Sequence, residues 1–368
     1  MMIDPIHQSA KNILCIRLDN IGDVLMTTPA IRALKQSIPG AHITLLTSPV
    51  AESAAKLVPE IDDVLAYDAP WMKATASRQN SQPDHDWIAF LRKRRFDMAV
   101  IFTVFSQSAL PAALTCFLAD IPLRLAHSRE NPYQLLTHWV RETELQGVSR
   151  HEVQRQLDLV GSIGCHATDL RLSIQVMDND RDQALKKLAG ADVDTTQPWV
   201  VIHPGASAPS RRYSPERYGE VARRVMTETG LQVILTGGHD ESDLLTIVAS
   251  LAPGVYSLPG QFTIGELAAV VDQSRLLITN NSGPAHIAAA AGTPVVVLYA
   301  LTNPQHTPWQ TPSRVLFHDV PCRNCYRSVC PETHHNCLQL VQPDQVIQAT
   351  LDLLRETQKQ PIDTGAMV

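Results

Sequence analysis

The 368-residue chain contains no run of about 18 uninterrupted apolar residues, the length that a membrane-spanning helix requires. Its first residues, MMIDPIHQSAKN, lack the positive start and apolar stretch of a secretory leader. Positive charge is not in excess either. Lys and Arg total 31 against 37 Asp and Glu, so the net charge of −6 gives no overall field for gripping nucleic acid. The seven cysteines do not describe a disulfide scaffold in a chain of this kind. Repeats of 20–50 residues and low-complexity tracts are missing, which excludes solenoids and arrays. These absences lead us to expect a cytoplasmic protein, one that touches the inner membrane face only through a lipid-linked substrate.

What is present is globular. Hydrophobic residues make up 44% and charged ones 18%, and the length exceeds what a single core usually supports. A short β-rich apolar run, a turn and a helical pattern recur along the chain. Residues 12–18 (NILCIRL) form the first run. Val24, Ile31, Leu34 and Ile38 then fall on one helical face that Pro39-Gly40 ends. Further strands are expected at 42–47, 64–67, 98–102 and 122–125, and in the second half at 199–203, 231–236, 254–257, 275–279 and 294–299. Helices fall between them, one opened by Ser214-Pro215-Glu216 and closed by Gly230. Alternation of this kind predicts an α/β protein with parallel sheets. The polar stretch 177–198 is the expected domain boundary.

Parallel sheets bind ligands beyond the carboxyl ends of their strands. Three turns of the second half are so placed: His203-Pro204-Gly205-Ala206, Thr236-Gly237-Gly238 and Asn280-Asn281-Ser282-Gly283-Pro284. The last opens a helix whose positive N-terminus suits a phosphate. Arg211-Arg212, in the loop after the first of these turns, offer charge for a departing diphosphate. In the first half, Asp19 and Asp23 flank the Ile21-Gly22 turn, where a carboxylate could take a proton from an attacking hydroxyl. A helix-capping Asp and a solvated arginine pair are the commoner fates of such residues. Their place on the ligand edge is what singles them out.

Taken together, RLDNIGDVLMTTPAIRALK (17–35), HPGAS…RRYSPERY (203–218), LTGGHDE (235–241) and NNSGPAHIAAAAGTPVVVLY (280–299) resemble glycosyltransferase family 9, the heptosyltransferase-like enzymes of lipopolysaccharide core assembly. Any one segment is weak, but four in order at family-like spacing are strong. The resemblance spans roughly residues 11–354. It implies a GT-B fold, in which two Rossmann-like domains face each other across a cleft. Residues 1–190 would bind the acceptor and 191–345 the nucleotide sugar. A helix at 343–357 would pack back toward the first domain, and a polar tail would occupy 358–368. The implied reaction is inverting sugar transfer without a catalytic metal or cofactor, from a nucleotide-sugar donor, ADP-heptose by default, to a lipid-linked saccharide acceptor. Asp23 matches the general base and Arg211 the cation that meets the leaving diphosphate. The implied donor-binding set is His203, Gly205, Ala206, Arg212, Gly237, Glu241 (on the ribose), Phe262, Asn281, Ser282, Gly283 and His286. Two positions depart from the pattern. Asn281 stands where the family has Asp, and Tyr213 replaces Trp as an aromatic platform.

Four cysteines crowd into Cys322-x2-Cys325-x4-Cys330-x6-Cys337, with His334 and His335 inside the last gap. Only the first pair has CxxC form. Thiols packed or oxidised in a loop are the favoured reading, and a structural zinc or iron–sulfur site is the alternative. Two functional rivals remain beside transfer. A nucleotide-dependent oxidoreductase is disfavoured, because no G-x-G-x-x-G follows a predicted strand. A nucleotide-sugar-binding or metal-carrying protein of the same fold without transferase activity stays open.

Overall fold

The computed structural model describes residues 5–73, 75–142 and 150–358. From residue 359 onward the expected tail lies outside the described residues. The chain divides into two compact units, Met1–Gln175 and Val176–Val368.

In the first unit the elements follow in order as α1 (Pro5–Gln8), β1 (Asn12–Arg17), α2 (Ile21–Ser37), β2 (His42–Thr47), α3 (Glu52–Ala55) and β3 (Asp63–Ala66). Then come α4 (Gln82–Arg94), β4 (Met98–Ile101), α5 (Leu110–Leu118), β5 (Leu123–Ser128), β6 (His138–Arg141) and α6 (Glu152–Gly161). The strands form one parallel sheet in the order β3-β2-β1-β4-β5-β6. Both faces of β1 are covered, as its unbroken apolar sequence requires. Ile13 and Cys15 face a core shared with α2 and α6, while Leu14 and Ile16 face one shared with α5. Pro29 lies inside α2 and has no N–H for the Leu25 carbonyl one turn back; the Thr28 hydroxyl donates to that carbonyl instead, at 2.7 Å. Cys15, Cys116 and Cys165 are buried thiols, as expected.

The second unit runs α7 (Asp178–Gly190), β7 (Trp199–His203), α8 (Pro215–Thr229), β8 (Gln232–Gly237), α9 (Ser242–Leu251), β9 (Tyr256–Pro259), α10 (Ile264–Asp272) and β10 (Leu277–Asn280). It continues with α11 (Gly283–Ala291), β11 (Val295–Leu298), β12 (Ser313–Leu316), α12 (Asn336–Gln339) and α13 (Pro343–Gln358). Its parallel sheet has the order β12-β11-β10-β7-β8-β9. Counted from each unit's own first strand, both sheets follow the doubly wound order 3-2-1-4-5-6. The order reverses beside β1 and β4 in one sheet, and beside β7 and β10 in the other.

Two expectations change. The division falls at 175/176 and not near 190, because α7 packs on α10 and Lys187 pairs with Glu266 at 2.7 Å. The helix expected at 343–357 was to pack back toward the first domain. Its Val346, Ile347, Leu353 and Leu354 instead lie in the second unit's core, against α8 and β12. Strands β6 and β12 were not anticipated. They are four-residue edge strands with half-exposed side chains, so neither needs an apolar run.

Candidate active site

In the first unit the chemistry gathers where β1 ends. Arg17, the last residue of that strand, is fully buried and meets three carboxylates. Its Nε lies 3.0 Å from Asp19 Oδ2, one Nη 3.1 Å from Asp23 Oδ1, and the other 2.9 Å from Glu152 Oε1 on α6. Burial works against the guanidinium's charge, but the three carboxylates outweigh it and hold the pKa above its ordinary value. Asp19 is pushed up to about 6, chiefly by burial and further by Asp23, with Arg17 pulling the other way. Gln107 donates to the second Asp19 oxygen at 2.6 Å. Asp23 lies in the first turn of α2 and accepts the Asn20 backbone N–H at 3.2 Å, so it is part of the helix cap. Its other oxygen faces Arg17. Capping and a place in the ion cluster therefore coexist at Asp23.

In the second unit the expected residues converge on the carboxyl edge of the sheet. His203 ends β7, Gly237 ends β8, and Asn280 ends β10, with β7 and β10 bordering the point where strand order reverses. His203 shares a hydrogen bond with Thr236 Oγ1 at 3.0 Å, and its Nε2 lies 3.8 Å from Glu241. Burial lowers the His203 pKa, with Glu241 opposing. Glu241 accepts the Gly238 N–H at 2.8 Å and lies directly over Gly205. A Cβ on Gly205 would run into that carboxyl group, so glycine is what lets the Glu241 carboxylate sit against this loop.

Asn280, read in the sequence only as the start of its turn, organises this edge. Its amide nitrogen donates to the Pro204 and Gly205 carbonyls at 2.6 and 3.3 Å. Its oxygen accepts from the Tyr213 N–H and the Tyr218 hydroxyl at 3.1 and 3.0 Å. A buried Asn can satisfy four groups in this way. The signal in the sequence was a polar residue closing an apolar strand. Tyr213 is not an aromatic platform for a ligand, because it is fully buried and its hydroxyl donates to the Val341 carbonyl.

Arg211 closes a short 3-10 turn, Pro209–Arg211, and its charge acts on Tyr299 just past β11. Burial pushes Tyr299 up to about 12, against hydrogen bonding with Thr302 and His306 and, to a lesser degree, the charge of Arg211. Arg212 turns back on its own loop, donating from Nε to the Ala206 carbonyl at 2.7 Å. Ser282 precedes α11, yet its hydroxyl faces Asn280 O and Thr279 and does not cap the helix. Ser282 and Gly283 are half-buried at the helix start, while His286 is buried one turn on. Asn281 is also buried, and its amide donates to Thr302 Oγ1 at 3.0 Å and Ala300 O at 3.3 Å. An ionised Asp could not make those donations, so Asn suits this loop. Phe262 is half-buried in the loop after β9, on the same edge.

The cysteine-rich segment braces this site. The Ser210 N–H donates to Ser328 O at 3.0 Å, its hydroxyl to Arg327 O at 2.6 Å, and the Tyr326 N–H to Leu301 O at 2.9 Å. Cys322, Cys325, Cys330 and Cys337 are half-buried free thiols. Burial pushes the Cys337 thiol up, and the other three thiols add to the shift. Among the described residues no group of three or more His, Cys, Asp or Glu is arranged as metal ligands.

Lipopolysaccharide heptosyltransferase 3 of Escherichia coli is 28% identical over 298 residues, covering 78% of this chain and 83% of that protein. The solved family 9 glycosyl transferase of Veillonella parvula is 23% identical, with a TM-score of 0.78 over 97% of this chain and 99% of that one. The E. coli ADP-heptose lps heptosyltransferase II is 21% identical, with a TM-score of 0.75 over 94% and 99%. These structures share the GT-B fold. The profile of one family, glycosyltransferase family 9 (heptosyltransferase), matches residues 87–336, about two thirds of the sequence. The chain belongs to that family and is a glycosyltransferase.

Proposed function

We propose that the protein is an inverting heptosyltransferase, moving a heptose from ADP-heptose to a lipid-linked saccharide of the lipopolysaccharide core. One observation carries the reading. The second unit gathers Gly205 under Glu241, the Arg211 turn and the start of α11 around the reversal of strand order, inside a chain of family 9. The names of its relatives, which specify lipopolysaccharide and ADP-heptose, support the acceptor and donor.

In this reading Glu241 accepts hydrogen bonds from the ribose diol, and Phe262 offers apolar surface to the base. The diphosphate meets the start of α11 at Ser282 and Gly283. The acceptor hydroxyl gives its proton to Asp23 as its oxygen attacks the anomeric carbon from behind. The bond from that carbon to the diphosphate breaks, and the charge that develops on the leaving phosphate faces Arg211. His203, Gly237, Ala206 and Arg212 shape the loops around the donor, and His286 and Asn281 support α11 and its neighbour loop. The chain's own cations supply the electrostatic stabilisation. The cysteine segment has a structural role in this reading. Zinc and iron measured per chain decide between packed thiols and a metal site. A lipid-linked acceptor would bring the protein to a membrane surface; among the described residues no helix is long and apolar enough to cross one.

The test is turnover of ADP-heptose with a truncated core acceptor, with product stereochemistry read by NMR. Asp23→Ala abolishes transfer while ADP-heptose still raises the thermal stability of the variant. Arg211→Ala lowers kcat by about 10²-fold with a smaller effect on donor KM. Full activity of Asp23→Ala would remove the base. Stabilisation by UDP-, GDP- or TDP-sugars but not by ADP-heptose would remove the donor assignment.

A further inference from the structure

The ion cluster at the end of β1 is larger than base catalysis alone requires. A fully buried arginine is costly unless every edge of its guanidinium is matched. Here the two terminal nitrogens hydrogen-bond Glu152 on α6 and Asp23 on α2, and Nε lies 3.0 Å from Asp19 after β1 as an ion pair without a hydrogen bond. Glu152 is itself almost completely buried and accepts a second hydrogen bond, at 2.6 Å, from Gln156. Gln156 also donates to Thr103 O at 2.9 Å, and Gln107 fixes Asp19. Glu152 therefore holds Arg17 from behind, and Arg17 holds Asp23 from the side. Asp23 keeps its Oδ2 on the Asn20 N–H, so its carboxylate is gripped at both oxygens.

We infer that Arg17 and Glu152 are positioning residues for Asp23, with Arg17 fixing the direction and proton affinity of its carboxylate and Glu152 setting how much of Arg17's charge Asp23 feels. This rests on the assignment of Asp23 as the base. The electrostatics give opposite signs for the two residues. Removing the arginine charge favours the protonated form of Asp23, so the acid limb of activity moves to higher pH. Removing the Glu152 charge leaves more of Arg17's charge for Asp23, so the limb moves to lower pH. Asp19 also titrates in this cluster, pushed up to about 6 chiefly by its burial. Its loss acts with the same sign as that of Glu152.

The experiment measures kcat/KM for the acceptor against pH at saturating donor in wild type, Arg17→Gln, Arg17→Lys, Glu152→Gln, Asp19→Asn and Asp23→Asn. Glu152→Gln keeps an oxygen to accept from Arg17, so this variant keeps the test open if Arg17→Gln fails to fold. The expected result is a limb about 0.5–1 pH unit lower in Glu152→Gln and Asp19→Asn. In Arg17→Gln it lies about 1 unit or more higher, and Arg17→Lys, which keeps the charge but not the three-edged geometry, falls between. Lowered activity with an unmoved limb, or shifts of one sign in both Arg17→Gln and Glu152→Gln, overturns the positioning role. A limb that vanishes in Asp19→Asn overturns it too, by making Asp19 the titrating group. If Asp23→Asn keeps wild-type turnover, the base assignment has failed. If Asp23→Asn is inactive and the other limbs stay in place, the base stands and only the positioning role fails.

Discussion

The two units present the same topological feature, a reversal of strand order at the carboxyl edge of a parallel sheet, and fill it with different chemistry. In the first, the space beyond β1 holds a buried cation and three carboxylates, so its properties depend on protonation. In the second, the space beyond β7 and β10 is tied together by a neutral amide, a glycine and backbone carbonyls, with His203 and Glu241 beside them. A base needs a tuned proton affinity, whereas a bound diphosphate needs close backbone approach and a fixed loop. In the proposed mechanism the division of labour follows that difference.

The largest effect that would test the contrast is expected at Asn280. Asn280→Ala leaves the Tyr213 N–H, the Tyr218 hydroxyl and the Pro204 carbonyl buried together without this partner. Losing several buried hydrogen bonds at one point costs about 3–5 kcal/mol, and donor binding falls with it. Because no charge is involved, the loss measured by chemical denaturation should be the same at pH 5 and pH 8. A loss that changed markedly with pH would mean that the second site is also governed by titration.

Gly205→Ala comes next. The added methyl carbon would run into the Glu241 carboxyl group, so the loop or the carboxylate must move. The obstacle is the far end of a flexible side chain, so the stability cost is about 1 kcal/mol or less. Donor KM should rise by roughly tenfold, with a smaller change in kcat, if Glu241 contacts the ribose in ground and transition states alike. An unchanged KM would separate Glu241 from the donor.

How much of this was legible in the sequence follows the same contrast. Asp23, Gly205 and Ser282 stand in local strand–turn–helix grammar that puts them at the carboxyl ends of strands, where the structure has them, whereas Glu241 came only from the resemblance. Glu152 is 135 residues from Arg17 along the chain and reads as an ordinary helix-start residue until α6 packs against α2. Asn280 was hidden by its neighbour: of two adjacent asparagines, the one that ends the strand ties the site together, while Asn281 holds the 300–302 loop. Tyr213 looked like a ligand platform because its segment matched, but its ring lies in the core against Tyr218. Long-range partners and side-chain direction are set by packing, which local pattern does not encode.

The smallest effect is expected in the first unit and tests its dependence on protonation. Asp19 has a folded-state pKa of about 6, raised chiefly by burial above the ordinary carboxylate value of 3.8. The folded protein therefore holds this proton more tightly than the unfolded chain does. The stability Asp19 contributes is fully present below about pH 4 and is lost as pH rises through about 6. Asp19→Asn cannot ionise, so its melting temperature relative to wild type should climb between pH 4 and pH 7 and level off above. A difference that stays flat across that window would show that Arg17 fully compensates the buried carboxylate.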